Sequence, residues 1–560
     1  MNIIGLIISI LLSLYIDARV FLNSYSPILI FWWIVSIVIL LLPSFVGTRN
    51  KIRLPKLCFS KKTIFISLVI ILPVLVRILN FDPARIHQDD LITAYFSATH
   101  DFLKINFFSG IPQDKVQWVA QFATPFFALQ KIFFFIFGES LLSIKLSIMP
   151  YVFIISFVLF LIVKEIFDEK TAIISVILYS FFPISVYLET IGLHFISSPA
   201  AFIVFFYFAI LNLKKNTVIY SLLSGISAGF CYLFYITSYI AFPMLIIFFF
   251  IQILRITKLS VVRNFFLSII AFLIVLGPYL TYARTFNNYF TSRTEQVSLL
   301  SGSWPGGRER IEKGESPFLV MKENLIVSVK SLYLDGVGGH GGYTFGQLAL
   351  FERFSLFLFV VGSILTLLLL SRKVELLLII IAILASWATL VLSNPPPAYQ
   401  RFNVAFPFIT IIFSLPFFLL LSLKRISSVF RYLTIIFLLM VYILNNQKYF
   451  LKSTEKENYH IALNVSSYIN NNFPNRNVYV ASYPGFAFEK MYYFAPNKAA
   501  KKIETNFHDY FLKNFNPNEK YVYVIIFPEN YVQKFIDLDP NGRIIKFTYT
   551  NDIFYTLFVN

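Results

Sequence analysis

The sequence has few charged residues. Only 14% of its 560 residues are Asp, Glu, Lys or Arg, whereas soluble globular proteins have about 25%. Hydrophobic residues make up 57% of the chain and aromatic residues 18%, which is more apolar surface than one soluble core could bury. This composition excludes a disordered chain and a collagen-like repeat, and it indicates a protein that crosses a membrane several times.

Cysteine is scarce as well. Cys58 lies in a basic segment and Cys231 lies inside an apolar run, so we do not expect them to pair. The chain therefore cannot be a disulfide scaffold, and it lacks the paired cysteines of zinc and redox sites. It also lacks the short sequence motifs of P-loop and dinucleotide-binding proteins, zinc proteases and serine esterases.

Acidic residues are outnumbered by basic ones, 29 against 47, which gives a net charge of +18. A charge of this size could indicate a nucleic-acid partner. However, the basic residues stand mostly in short clusters between apolar runs, which is typical of the cytoplasmic loops of membrane proteins. We therefore expect a lipid bilayer as the partner, and no nucleic acid.

Thirteen apolar stretches approach the length of about 20 residues that a membrane helix needs. The predicted spans are 2–16, 28–47, 63–80, 145–163, 171–187, 197–212, 217–235, 238–254, 264–283, 351–371, 374–392, 402–422 and 431–446. The first lacks a basic leading region and a small-residue cleavage site, so we favour an anchor over a cleaved signal peptide. When the spans alternate in direction, every basic cluster falls on the same side, which we predict to be cytoplasmic.

Three longer segments then lie on the opposite, outer side: 81–144, 284–350 and the tail after 446. The apolar stretch 122–137 would invert all later clusters if it were a span, so we predict a helix that lies in the membrane interface and ends at Gly138. The tail has the alternating pattern of a small α/β domain. Its predicted elements are a helix at 459–473 and strands at 477–482, 520–527, 542–549 and 552–559.

The first outer segment contains the acids that are best placed for chemistry. Asp89 and Asp90 lie just past a span, in HQDDLITAYFSATHDFLK. If a helix begins there, Asp89 shares a face with His100, and Asp90 shares the neighbouring face with Asp101. A capping role explains the same two acids, because aspartate is favoured at helix starts.

Several basic residues could hold a phosphate group. Arg284 and Arg293 lie in the second outer segment, and Arg401 lies in the short loop SNPPPAYQRFN. Arginine binds phosphate oxygens with two parallel hydrogen bonds. The alternative is that these residues bind lipid headgroups or anchor helix ends at the membrane surface.

Four further residues are secondary candidates or have a structural explanation. His340 lies in the glycine-rich stretch LYLDGVGGHGGYTFG, where a turn residue is expected. Glu189 and His194 belong to ETIGLHF, which we predict to be a short outer loop. Arg77 lies near the outer end of its span, where a long basic side chain usually snorkels to the interface.

The order of these features resembles that of the GT-C membrane glycosyltransferases of glycosyltransferase family 39 type. These include protein O-mannosyltransferases and bacterial aminoarabinose transferases. In that family, a span is followed by an Asp-Glu pair, an interfacial helix and a short motif that contains a glycine. Here HQDDLITAYF precedes ATPFFALQKIFFFIFGESLLSIKLS, and 322–363 is similar to the family's late outer loop. Asp90 replaces the expected glutamate. The likeness covers about 63–560.

The resemblance implies a polytopic α-helical protein with the GT-C fold, about 13 membrane helices and a small C-terminal α/β domain outside the membrane. Residues 1–62 would form an added helical hairpin with a basic cytoplasmic loop. Residues 63–446 would form the catalytic membrane domain, and 447–560 the α/β domain. We expect the plasma membrane of a prokaryote, with the site and the α/β domain on the extracytoplasmic side.

The resemblance also implies an activity. A hexosyl or pentosyl group would move, with inversion, from a polyprenyl-phosphate donor to a protein, lipid or envelope-glycan acceptor. Asp89 would be the general base, and Asp90 would orient the acceptor or stabilise positive charge near the sugar carbon. Arg401, Arg284 and Arg293, in that order, would bind the donor phosphate. The candidate acceptor or sugar contacts are His100, Asp101, His194 and His340.

Asp89, Asp90 and His100 could be part of a divalent metal site, but the sequence contains no complete ligand set and implies no certain cofactor. A transporter or flippase of lipid-linked sugars is an alternative function. Transporters usually have charged groups and internal repeats at mid-membrane depth, whereas these spans are nearly free of charge. A non-catalytic scaffold is a further alternative.

Overall fold

The computed structural model describes most of the chain. It covers residues 3–48, 60–81, 88–102, 106–108, 123–256, 258–286, 289–302, 306–339, 343, 345–394, 396–455, 460–481, 500–503, 519–526, 532–548 and 554–559. The helices in chain order are α1 (Ile3–Phe21), α2 (Ile28–Thr48), α3 (Lys61–Leu79), α4 (Gln88–Thr99), α5 (Pro125–Phe137), α6 (Leu141–Leu146), α7 (Met149–Ile166), α8 (Glu169–Ser180), α9 (Pro183–Thr190), α10 (Ser197–Lys215), α11 (Val218–Cys231), α12 (Ala241–Arg255), α13 (Leu259–Thr285), α14 (Tyr289–Val297), α15 (Gly307–Glu312), α16 (Pro317–Lys330), α17 (Arg353–Leu369), α18 (Val374–Val391), α19 (Phe406–Ser422), α20 (Ser428–Glu455), α21 (His460–Asn472) and α22 (Val532–Leu538).

Long apolar helices dominate the fold. Within the described ranges, nine helices are long and apolar enough to cross a membrane, and a tenth span is formed by α8 and α9, which meet at a bend of 61°. Shorter apolar stretches are Ile28–Leu42 of α2 and the helices α5, α11 and α17. Each of the 13 predicted stretches is occupied by one of these helices, so the prediction of a polytopic helical membrane protein is confirmed.

Helix α5, in the first outer segment, does not cross the bundle. Helix α5 has 13 residues, or about 20 Å of length, too short for a hydrocarbon core of about 30 Å. It begins at Pro125, and it ends at Gly138, which has a φ of 75°. One side of α5 is buried, whereas Phe135 on the other side is 91% exposed. The predicted helix is therefore present, and its position in the membrane interface stays a prediction.

Small residues let the central helices approach one another closely. A Cβ atom on Gly225 of α11 would lie 2.0 Å from the carbonyl oxygen of Ser268 in α13. A Cβ atom on Gly229 would lie 2.8 Å from Val275. Glycines four residues apart are a common basis for helix packing in membranes, where apolar burial between helices gives little driving force.

The N-terminal helices α1 and α2 pack together and against α13. The Ser9 hydroxyl donates a hydrogen bond of 2.7 Å to the carbonyl of Ser36, which joins α1 to α2. The Trp33 indole donates one of 3.1 Å to the carbonyl of Val275. These polar contacts fix the hairpin on the bundle in a setting that offers backbone carbonyls few other donors.

The tail forms a five-stranded mixed sheet. Its strands are β1 (Asn477–Ala481), β2 (Ala500–Ile503), β3 (Tyr521–Ile526), β4 (Arg543–Thr548) and β5 (Phe554–Val559), in the spatial order β2-β1-β3-β5-β4. Strand β1 pairs in parallel with β2 and β3, and β5 pairs antiparallel with β3 and β4. The predicted helix and four predicted strands are confirmed. The sequence analysis missed β2 and α22, since Ala500–Ile503 is short and lacks an apolar alternation.

Candidate active site

Helix α4 begins at Gln88, so both candidate acids lie in its first turn, as predicted. Acidic side chains are favoured there by the partial positive charge of the helix N-terminus. The two acids have different surroundings: Asp90 is fully buried, whereas Asp89 is partly exposed.

Asp90 is held by the segment that follows α9. The backbone N–H of Gly192 donates a hydrogen bond of 3.0 Å to Asp90 Oδ2. The Lys145 ammonium lies 3.9 Å from the same oxygen and also donates to the carbonyl of Thr190. Residue 192 must be glycine for this approach, because a Cβ atom would lie 2.3 Å from Cγ2 of Ile144. Asp90 is thus a buried carboxylate with a nearby cation.

The sequence analysis did not identify Lys145. It is only 5% exposed and belongs to α6, at the start of the span predicted at 145–163. A lysine within an apolar stretch is a signal that could have identified it, because charged residues at membrane depth are rare and usually functional.

Asp89 is bound by a residue from the late outer loop. The Tyr343 hydroxyl donates a hydrogen bond of 3.0 Å to Asp89 Oδ2. Tyr343 is buried, and its ring packs edge-on against that of Phe195 at 5.3 Å. Burial raises the pKa of Tyr343 well above its usual value, and the charges of Asp89 and Asp90 raise it further. The phenol is therefore a neutral hydrogen-bond donor.

The loop that carries Tyr343 is closed at its base. The Gly336 N–H donates to the carbonyl of Gln347 at 2.8 Å. Asp335 accepts from the Ala349 N–H at 3.1 Å and pairs with Lys452 of α20 at 3.0 Å. Burial by itself would raise the pKa of Asp335, but these two donors outweigh it and lower that pKa.

Arg401 lies in a short 3-10 helix, Tyr399–Arg401, between α18 and α19, and is 4% exposed. Its Nη1 donates to the carbonyl of Asn394 at 3.0 Å, and it is hydrogen-bonded to Tyr235. Burial lowers the pKa of Arg401, Tyr235 opposes this shift, and the charge of Arg293 adds to it. The ring of Phe195, which packs against Tyr343, also lies 6.4 Å from that of Tyr235, so Arg401 and the Asp89 site are neighbours.

An apolar cavity of about 500 Å³ opens beside Arg401 and Tyr235. Helices α12, α14 and α18 and the 3-10 helix Ile236–Ile240 contribute most of its wall. Along α12 the lining extends from Pro243 to Ile247, which corresponds to about 6 Å of helix. The cavity therefore combines one buried cation with a surface that is mostly apolar, although several Thr and Ser residues contribute to its wall.

Two outer segments meet over this cavity. Leu299 donates its N–H to the carbonyl of Leu392 at 2.8 Å, and Asn394 donates to Val297 at 2.8 Å. Ser298 and Ser393 form an isolated antiparallel bridge. These contacts bring the second outer segment and the loop with Arg401 to one site, although they are about a hundred residues apart.

The other predicted phosphate ligands differ in their position. Arg293 lies on α14, is partly buried and donates to Gln296 Oε1 at 3.1 Å. The neighbouring residues Thr294 and Val297 of α14 line the cavity beside Arg401, and the positive charge of Arg293 opposes that of Arg401. Arg284 lies in the last turn of α13 and is exposed. No contact among the described residues joins Arg284 to Arg401 or to the acids.

The candidate acceptor or sugar contacts also differ in their burial and in their neighbours. The ring of His100 stacks on that of Phe96 at 3.6 Å, and Asp101 is exposed. His194 is buried at the start of a 3-10 helix, with its ring 5.0 Å from that of Tyr235. His340 lies outside the described residues. Tyr235 therefore connects His194 with Arg401.

Two expectations about the outer ends of the spans were wrong. Arg77 does not snorkel to the interface but is fully buried, and its Nη2 lies 2.8 Å from Glu189 Oε2. Glu189 is not in a loop that faces outward: it lies in α9 and is 3% exposed. His194 is also buried rather than outward-facing, because the segment 191–195 that follows α9 is buried.

A metal site could not be assembled from the described residues. They contain no group of three or more His, Cys, Asp or Glu side chains that could hold a metal ion. His100, which the sequence suggested as a third ligand beside the two acids, approaches the carbonyl of Phe96 with its Nδ1 at 3.1 Å.

Comparison with known proteins identifies the fold. Residues 124–282 match the family model described as dolichyl-phosphate-mannose-protein mannosyltransferase. The crystal structure of ArnT from Cupriavidus metallidurans bound to undecaprenyl phosphate is similar, with a TM-score of 0.55 and 11% identity over 88% of this chain and 98% of that chain. The chain has the GT-C fold.

A second solved structure is similar as well. The apo oligosaccharyltransferase of Archaeoglobus fulgidus gives a TM-score of 0.51 at 13% identity, over 89% of this GT-C chain and 75% of that chain. No curated protein matches the sequence. The family match and the fold confirm the resemblance that the sequence predicted.

Proposed function

We propose that the protein transfers a sugar, with inversion, from a polyprenyl-phosphate donor to a hydroxyl or amine acceptor. The observation that supports this most directly is the apolar cavity of about 500 Å³ beside the buried Arg401. A polyprenyl phosphate has the same two parts, an anionic head and an apolar tail. The undecaprenyl phosphate bound to ArnT, whose fold is similar, also supports this donor class.

In this proposal Arg401 and Arg293 bind the donor phosphate, and the negative charge that develops on the phosphate is stabilised by cations already in position. Burial of Arg401 strengthens this effect, because a charge interacts more strongly where water is excluded. Arg284 is exposed and is therefore the weakest of the three predicted phosphate ligands.

Asp89 is the proposed general base. The acceptor oxygen or nitrogen attacks the anomeric carbon and forms the new glycosidic bond as its proton passes to Asp89. The bond between that carbon and the phosphate oxygen breaks, and polyprenyl phosphate leaves with the electron pair. One displacement of this kind inverts the anomeric centre. A well-placed base contributes about 10²- to 10⁴-fold to the rate.

Asp90 has a different proposed role. It is fully buried and interacts with the Gly192 N–H and Lys145, so we assign it to holding the start of α4 rather than to touching the acceptor. Tyr343 fixes the orientation of Asp89, since its hydroxyl donates to Oδ2.

The test is release of free polyprenyl phosphate from a panel of polyprenyl-phosphate sugars in membranes with cell-envelope acceptors. We expect Asp89→Asn to release the lipid at least about 100-fold more slowly than the wild type. The exposed acid Glu139 provides a matched control, and Glu139→Gln should retain wild-type activity. Equal release by wild type and Asp89→Asn would remove Asp89 as the base. No release by folded wild type across the panel would contradict the donor class.

A further inference from the structure

A buried ion pair lies beside the candidate site but is not part of it. Arg77, in the last turn of α3, is 0% exposed, and Glu189, near the end of α9, is 3% exposed. Arg77 Nε donates a hydrogen bond of 2.8 Å to Glu189 Oε2, and Arg77 Nη2 lies 2.8 Å from the same oxygen. Two charges buried this deeply need further hydrogen bonds to offset their desolvation.

Arg77 Nη1 donates to the carbonyl of Pro73 in its own helix at 3.4 Å, and the other partners of the pair lie at the break between α8 and α9. Arg77 donates to the carbonyls of Ser180 and Tyr179, at 2.8 and 3.3 Å. These carbonyls lie in the last turn of α8, where the N–H donors of a continuing helix are missing, and that of Tyr179 also accepts from the Phe182 N–H at 3.4 Å. Glu189 Oε1 accepts from the hydroxyls of Tyr179 and Ser185, at 2.5 and 2.7 Å. The pair therefore fixes the 61° bend between the two helices.

The residues that follow Glu189 hold the acid site. The carbonyl of Thr190 accepts from Lys145, and the N–H of Gly192 donates to Asp90 Oδ2. The backbone has little freedom there, since Gly192 is in tight contact with Ile144. A shift of α9 would therefore be transmitted to Lys145 and Asp90, and through Asp90 to the first turn of α4.

We infer that Arg77 and Glu189 are positioning residues for the transfer reaction, and that they act on Asp89 through the segment Thr190–Gly192 and Asp90. The inference rests on the proposed function. Replacing a buried ion pair by uncharged residues is often neutral for stability, so stability alone is a weak explanation for the pair. A fixed α9 gives it a role in the geometry of the site.

The first experiment replaces Glu189 by its neutral isostere. Glu189→Gln should lower kcat per folded molecule by about 10- to 100-fold, because a misplacement near 1 Å has effects of that size. The KM for the donor should stay near the wild-type value, since the cavity beside Arg401 is built by other helices. Glu169→Gln, which breaks the exposed pair with Lys164, is the control and should leave kcat unchanged.

The second experiment separates a positioning role from a general structural one. If Glu189 acts through Asp90, the two substitutions should not be additive, so Glu189→Gln should cause little further loss in an Asp90→Asn background. A purely structural pair would give additive losses. Additive losses, or a wild-type kcat in folded Glu189→Gln, would overturn the inference.

If Glu189→Gln does not fold, Arg77→Gln/Glu189→Gln removes both charges and leaves no unpaired buried ion. The kcat loss of that double variant is then measured with and without Asp90→Asn. Non-additive losses are expected, and additive losses would overturn the inference. Hydrogen exchange of the Gly192 amide is a readout that needs no donor, and it should accelerate at least about tenfold. Faster exchange combined with an inactive wild type would overturn only the proposed function, whereas wild-type exchange would overturn only this inference.

Discussion

The side chains that hold the two acids come from distant parts of the chain. Tyr343 donates to Asp89 across 254 residues of sequence, and Gly192 donates to Asp90 across 102. The acids themselves were predictable, because they follow a span and begin a polar helix. Their partners were not, since a tyrosine in a glycine-rich stretch has many equally plausible neighbours until the loop is folded.

The contact between the side chains of Tyr343 and Asp89 gives a prediction for a single residue. Tyr343→Phe removes only the hydroxyl, and a hydrogen bond to a charged group contributes about 1.5–3 kcal/mol. We expect kcat to fall about 10- to 100-fold, with the donor KM little changed. Tyr333→Phe, in an exposed tyrosine of the same outer segment, should retain wild-type kcat. Wild-type kcat in Tyr343→Phe would contradict the assigned role.

The pH dependence of this variant is also determined. Burial raises the pKa of Tyr343 well above its usual value of 10.0, so the phenol stays protonated and donates throughout the physiological range. The alkaline limb of the wild-type profile therefore cannot come from Tyr343. The alkaline limbs of the profiles of kcat against pH for wild type and Tyr343→Phe should have the same shape and differ only in height.

Individual helices and loops were predictable to different degrees. The membrane spans were predictable from the sequence, since each is a long apolar run. The break between α8 and α9 was missed, although Pro183 favours a helix start, because the stretch 171–187 is apolar throughout. At the bend, Arg77 of α3 donates to the carbonyls of the last turn of α8, and this contact between distant segments is not visible in the sequence.

The loop that carries Tyr343 gives a prediction for an element. The pKa of Asp335 is lower in the folded protein than its usual value. The ionised carboxylate therefore stabilises the folded loop above the unfolded pKa of about 4, and this stabilisation is lost as the pH falls through the folded pKa. We expect the amides of Gly336 and Ala349 to exchange faster as the pH falls below about 4, after correction for intrinsic exchange. Asp335→Asn should show fast exchange already at pH 7.

Asp537→Asn, in an exposed acid of α22, is the matched control and should leave exchange in this loop unchanged. Equal protection of the Gly336 and Ala349 amides in wild type and Asp335→Asn at pH 7 would show that the Lys452 contact does not hold the loop. The loop would then depend on its own backbone hydrogen bond between Gly336 and Gln347.

At the scale of the whole molecule, the two ends of the bundle differ in charge and in chemistry. The clusters Lys214–Lys215, Arg255–Arg263, Arg372–Lys373 and Lys424–Arg431 lie at one end of alternating helices. Asp89, Tyr343 and Arg401 lie at the other end. Because short cytoplasmic loops are enriched in Lys and Arg, we propose that the candidate site is extracytoplasmic.

Cysteine labelling in intact cells tests this orientation. Ser301 is exposed at the end with the candidate site, and Ser427 is exposed at the basic end. In a Cys58→Ser background, Ser301→Cys should react with a membrane-impermeant maleimide in intact cells. Ser427→Cys should react only after permeabilisation. Buried Cys231 serves as the internal unreactive thiol. The reverse pattern would place the site in the cytoplasm.

The sequence by itself determined the membrane helices, their alternating direction and most of the C-terminal sheet. These features depend on composition and local periodicity, since apolar runs of span length and alternating strands have few other stable arrangements. It also indicated the two acids and Arg401, because polar groups at the ends of apolar spans are conspicuous.

Only the tertiary structure decided which of these residues work together. It paired Arg77 with Glu189 rather than with solvent, buried Asp90 against Gly192, and left Arg284 exposed. It also added Lys145 and Tyr343, which the sequence analysis had passed over. The physical reason is that a buried polar group must find a partner, and in a bundle of many helices that partner is chosen by packing rather than by sequence distance.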